Sequence, residues 1–101
     1  MLQVKDHAPY VWFLFADGED LLLDVNCSHG AVSYSIVLRL NPSERLEYAA
    51  GGHSYLNQLS EAAQHAGPGS ELQNRSLHTE YSEQTLQAVQ RWRAMEGHAP
   101  S

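Results

Sequence analysis

One cysteine, Cys27, is all that the 101 residues contain. No intramolecular disulfide framework can form, and a thiolate zinc site would need its other ligands to be of different types. A lone thiol points to a reducing compartment. Long hydrophobic runs are missing too: the longest, Tyr10 to Ala16, falls far short of the roughly 20 residues that a bilayer-spanning helix needs. The opening MLQVKDHAPY lacks the basic stretch and apolar core of a secretory leader. A cytoplasmic location and no membrane partner follow by exclusion. Basic residues are scarce, six against twelve acidic ones, which gives a formal charge of -6 and a pI near 5.3. Such a field repels phosphate backbones and argues against a nucleic-acid partner.

Chemical motifs are equally sparse. There is no CxxC, no HExxH and no paired histidine spacing, so no metal site and no cofactor is assigned. Cys27 and His29 are two apart, but the other histidines, His53, His65 and His78, are scattered. Cys27 has no neighbouring base or cation to activate it and is read as an inert core thiol. Asp17, Glu19, Asp20 and Asp24 lack the closing glutamate of a calcium loop and are read as a solvated hairpin tip. No catalytic residues are assigned.

The patterning of the chain is more informative. With 43% apolar and 18% charged residues, residues 1–101 read as a single domain with one core, frayed at 1–6 and 98–101. YVWFLFA ends at Asp17-Gly18, a strong two-residue hairpin signal, and a second tight turn is expected at His29-Gly30. These turns set Ala16 opposite Glu19, Trp12 opposite Leu23, Cys27 opposite Val32 and Asp20 opposite Arg39. One face, the inner one, then collects Tyr10, Trp12, Leu14, Leu21, Leu23, Val25, Cys27, Val32, Tyr34, Ile36 and Leu38.

Ala31 to Asn41 forms the third strand of this meander and runs straight into Asn41-Pro42-Ser43-Glu44, a helix start with an N-cap, a proline at the first position and a capping-box glutamate. One helix is expected from Pro42 to about Ala66, with Leu46, Ala49, His53 or Gly52, Leu56, Leu59 and Ala63 on its buried stripe. Gly51-Gly52 either kinks it or permits close packing. Leu77, Thr79 and Tyr81 alternate as a short edge strand would. Ser82 then caps a final helix, with Tyr81 and Leu86 as a staple and Leu86, Val89, Trp92 and Met95 as its stripe. The fold class is therefore α+β: an antiparallel three-stranded meander with a fourth short edge strand in prospect, packed by a long helix and a C-terminal helix, in the order β-β-β-α-(β)-α.

Function is read from the faces. Val11, Phe13, Phe15, Leu22 and Val37 form an apolar outer patch that either the last helix or another chain must cover. The leading expectation is a non-enzymatic module that self-associates or docks on a protein through this face or a strand edge. An alternative is a ligand-binding protein or enzyme with a cleft around Tyr34, His53 and Tyr55. A third reading is an acidic inhibitor or immunity-type protein meeting a basic partner.

Overall fold

A computed structural model describes residues 2–8, 11–29, 32–66 and 75–97. Tyr10, the turn at residues 30 and 31, and the expected frayed end at 98–101 lie outside the described residues. The fold is α+β, with strands β1 (Gln3–Ala8), β2 (Trp12–Asp17), β3 (Asp20–His29) and β4 (Val32–Arg39), then helices α1 (Pro42–Ala66) and α2 (His78–Gly97). The strands form one antiparallel sheet in the order β1-β2-β3-β4. The fourth strand therefore sits at the start of the chain, and Leu77 to Tyr81 leads into α2 instead of forming an edge strand.

Both hairpins keep the expected faces with partners displaced by two residues. Trp12 lies opposite Val25 and Leu14 opposite Leu23, because Asp17 pairs with Asp20 across a turn made by Gly18 and Glu19. Gly18 supplies the positive φ of 61° as the first central residue, which is where a two-residue turn tolerates glycine best. Cys27 likewise pairs with Tyr34, since His29 rather than Ser28 is the last paired residue before the second turn. A displacement of two preserves parity, so the inner face still gathers Trp12, Leu14, Leu23, Val25, Cys27, Ile36 and Leu38. Arg39 faces Leu22 and reaches Asp20 diagonally, at 3.8 Å.

β1 is a strand in its own right, neither a frayed lead-in nor an extension of β2. Val4 pairs with Phe15 and Asp6 with Leu14, so Lys5 is a bulge. One extra residue exchanges the two faces of a strand. Leu2 and Val4 thereby pack in the outer layer, while Asp6 emerges with the inner-face partners and Ala8 packs against the inner core.

The helix α1 starts as its sequence dictates. Glu44 N donates to Asn41 Oδ1 at 2.8 Å and Asn41 N donates to Glu44 Oε1 at 2.9 Å, a complete capping box. It bends at Gly52, whose φ of 58° and ψ of -138° are not helical. The bend breaks the phase of the stripe. After it, Leu56, Leu59 and Ala63 are buried on the inner face; before it, Leu46 and Ala49 are exposed, and Tyr48 packs against the core instead. His53 is also half-exposed, not on the buried stripe. A Cβ added at Gly52 would meet nothing within 4 Å, so Gly52→Ala carries a cost of backbone strain alone. Urea unfolding is expected to show about 1–3 kcal/mol of destabilisation; no loss would mean that the bend is not imposed at this residue.

α2 crosses the outer face. Ser76 Oγ accepts from His78 N at 3.3 Å, and Tyr81 N donates to Leu77 O at 3.0 Å, so the helix begins before Ser82, the expected cap. The same Ser76 hydroxyl accepts from Val37 N at 3.2 Å, and Leu77 N donates to Val37 O at 2.7 Å, which anchors the helix start to the edge of β4. The stripe facing the sheet is Tyr81, Thr85, Ala88 and Trp92. Leu86 and Met95 of the expected stripe are exposed, at 58% and 80%. Val89 and Trp92 of the expected stripe do pack on the outer face, with the small Thr85 and Ala88 between Tyr81 and Trp92, while Leu86 and Met95 lie outside that packing.

Candidate functional site

The outer patch expected from the sequence is divided by the structure. Phe15, Leu22 and Val37 are fully buried with Leu2 and Ala88 in a second core beneath α2. Phe13 is partly buried: Trp92 meets its ring edge-on at 5.5 Å and His7 stacks on it at 5.6 Å. Val11, which precedes β2, packs against the inner core. The protein's own helix thus occupies the centre of this face, and only its margin near Phe13 stays open.

Tyr34, His53 and Tyr55 are each engaged separately. Tyr34 lies across from Cys27; desolvation, and then the charge and hydrogen bond of that thiol, push its hydroxyl above the ordinary tyrosine range. His53 Nδ1 lies 3.0 Å from Asp6 Oδ2, and its ring is 4.9 Å from Trp12. Beside them, Trp12 Nε1 donates to Asn57 Oδ1 at 2.9 Å. Tyr55 is raised by desolvation and by the charges of Glu44 and Glu47, with Arg75 opposing. None of the three lines either of the clefts described next.

The first cleft, of about 390 Å³, opens between the outer sheet face and α2. Phe13, Asp24 and Asn26 contribute from the sheet and Ser82, Thr85, Leu86, Val89 and Arg93 from the helix. Asp24 was expected at a solvated hairpin tip; its pairing places it between Phe13 and Val37, in the row under α2. Burial raises its carboxyl from an ordinary 3.8 to about 6, against the opposing charge of His78. A carboxyl raised by folding holds its proton more tightly in the native state. The contribution of this group to native stability is therefore full below the unfolded value of 3.8 and is lost as the pH rises through about 6. The signal in the sequence was a lone acid between apolar cross-strand neighbours, legible only once the register and the path of α2 are known.

The second cleft is a shallow groove of about 530 Å³ lined by Leu21, Pro42, Arg45, Leu46, Tyr48 and Ala49. It runs along the part of α1 before the bend, which contributes none of that helix's buried residues. This arm is held by a bidentate pair, with Arg75 Nη1 and Nη2 at 3.0 and 2.7 Å from the Glu44 carboxylate. Burial raises Glu44, but the Arg75 hydrogen bonds, the Asn41 amide and the Arg75 charge outweigh it and hold the carboxyl below its usual range. Arg75 also donates to Arg39 O at 2.9 Å.

Cys27 is buried, and among the described residues no three histidine, cysteine or acidic side chains stand close enough to hold a metal ion. No helix of the described residues is long and apolar enough to cross a membrane. Compared with known protein families, curated proteins and solved structures, the chain matches none.

Proposed function

We propose that the chain is a non-enzymatic, cytoplasmic interaction module that pairs with a second copy of itself through the first half of α1. The observation that carries this reading is Leu46, 73% exposed in an apolar groove with Leu21, Pro42, Tyr48 and Ala49. Apart from Tyr48, which packs against the inner core, the apolar side chains of this arm are exposed and available to another chain. A two-fold pairing needs only one patch that complements itself, which makes a second copy the most economical occupant. The capping box and the Glu44 to Arg75 pair fix the arm in place, so that little ordering cost remains at the moment of contact. The buried Cys27 and the engaged His53 are consistent with a role that requires no nucleophile or base.

Sedimentation over a range of protein concentrations tests the proposal. The wild type is expected to move from monomer to dimer, whereas Leu46→Glu stays monomeric with an unchanged circular dichroism spectrum. A wild type that remains monomeric at every concentration sinks the reading, as does a Leu46→Glu variant that dimerises as well as the parent.

A further inference from the structure

The cleft beneath α2 is lined by two opposite charges, Asp24 and Arg93, that form no ion pair among the described residues. Among the described residues, the ion pairs are Arg39 with Asp20, Arg75 with Glu44, His53 with Asp6 and His65 with Glu61. Neither Asp24 nor Arg93 belongs to any of these, and they do not pair with each other although both line the same cleft. Architecture does not account for Asp24. Its cross-strand neighbours, Phe13 and Val37, are apolar, and no hydrogen bond within the described residues satisfies its carboxylate. The carboxyl is partly buried, and the charge of His78 acts on it without an ion pair, so a cation seated in the cleft adds a direct partner.

Between the two charges the walls are mixed. Phe13, Leu86 and Val89 are apolar, and Asn26, Ser82 and Thr85 are polar. At about 390 Å³ the space is at the small end of ligand pockets and has ample room for a molecule of a few carbons. The Arg93 guanidinium in the lining matches one carboxylate, which it can bind through two parallel N–H donors.

We propose that this cleft binds a small aliphatic zwitterion, its ammonium on the Asp24 carboxylate, its carboxylate on the Arg93 guanidinium and its methylenes against Phe13. The site lies on the sheet face opposite α1 and does not depend on self-association through Leu46. The long side chain of Arg93 is exposed, so it can fold over a ligand whose cationic end is already seated.

Amide NMR titration of the full chain with γ-aminobutyrate tests it, with β-alanine and ε-aminocaproate as shorter and longer zwitterions and butylamine and butyrate as single-charge controls. Saturable shifts are expected at Phe13, Asp24, Asn26 and residues 82–93. Binding should weaken about tenfold in Asp24→Asn and in Arg93→Gln, the size expected when one charge-assisted contact is lost, and each single-charge control should bind at least that much more weakly than the best zwitterion. Arg93→Gln alters an exposed side chain, so its readout does not depend on whether Asp24→Asn changes stability. The proposal is overturned if no zwitterion gives saturable shifts in the wild type, if both variants bind as tightly as the parent, or if butylamine binds as well as the zwitterions.

Discussion

Trp12→Ala is expected to lower unfolding free energy by about 3–5 kcal/mol, the range for removing a buried aromatic side chain. Trp12 is 1% exposed and belongs to the inner core with Leu14, Leu23, Val25, Ile36 and Leu56. It also ties the inner layer to α1 through the bond from its indole to Asn57, with His53 against its ring. Loss of the side chain leaves a cavity below the helix after its bend and frees Asn57 to water. Because Asn57 is exposed, its amide can be resolvated, so the loss is one of packing more than of an orphaned polar group. Urea unfolding followed by fluorescence measures it cleanly, since Trp92 remains as the other indole. A loss below about 1 kcal/mol, the size of an ordinary surface effect, would show that the inner layer is not built around Trp12.

Phe15→Ala should be equally costly, about 3–5 kcal/mol, but its effect should be felt in the other layer. Phe15 is fully buried with Leu2, Leu22, Val37 and Ala88 beneath α2. That helix is held by the stripe of Tyr81, Thr85, Ala88 and Trp92 with Val89 beside it, the bonds of Ser76 and Leu77 to Val37, Arg39 Nη2 donating to the Tyr81 hydroxyl at 2.7 Å, and Arg91 Nη2 donating to Leu2 O at 2.9 Å. Hydrogen exchange in the variant is expected to rise across residues 78–97 before it rises in β2 to β4. The Trp92 emission should shift to the red as its contacts with Phe13 and His7 loosen. Met95→Ala, at an 80% exposed position, is the control and should stay within about 0.5 kcal/mol of the parent. Uniform exchange across both layers would mean that the outer core does not act as a separable unit.

These two residues also show what the sequence makes legible. The faces of Trp12 and Phe15 follow from parity, which survives an error of two in register, so the two apolar faces were readable even though both turns were displaced by one residue. The single core expected is in fact two clusters, because α2 covers the outer face. The capping box at Asn41 was readable because its signals are local. β1 was not, because the Lys5 bulge interrupts the alternation begun by Leu2 and Val4, and a bulge leaves no mark in composition. The start of α2 was hidden for a related reason: Leu77, Thr79 and Tyr81 fit a strand and a helix equally well, and the contact with Val37 decides. The cleft of Asp24 and Arg93 brings together residues far apart in the chain. Its legibility depended on the crossing path of α2, which local patterns do not contain.

The anchoring of Ser76 and Leu77 on β4 has a consequence for assembly symmetry. The backbone N–H and C=O of Val37 and the carbonyl of Arg39 are already taken, which obstructs the addition of a foreign strand along that side. Joining the β1 of one molecule to the β4 of the next, which would propagate into an open filament, is therefore disfavoured. Strand exchange at β1 has only another β1 to meet, and such a contact closes on itself at two molecules. One serine hydroxyl, one leucine amide and one guanidinium thus disfavour edge-to-edge growth along β4.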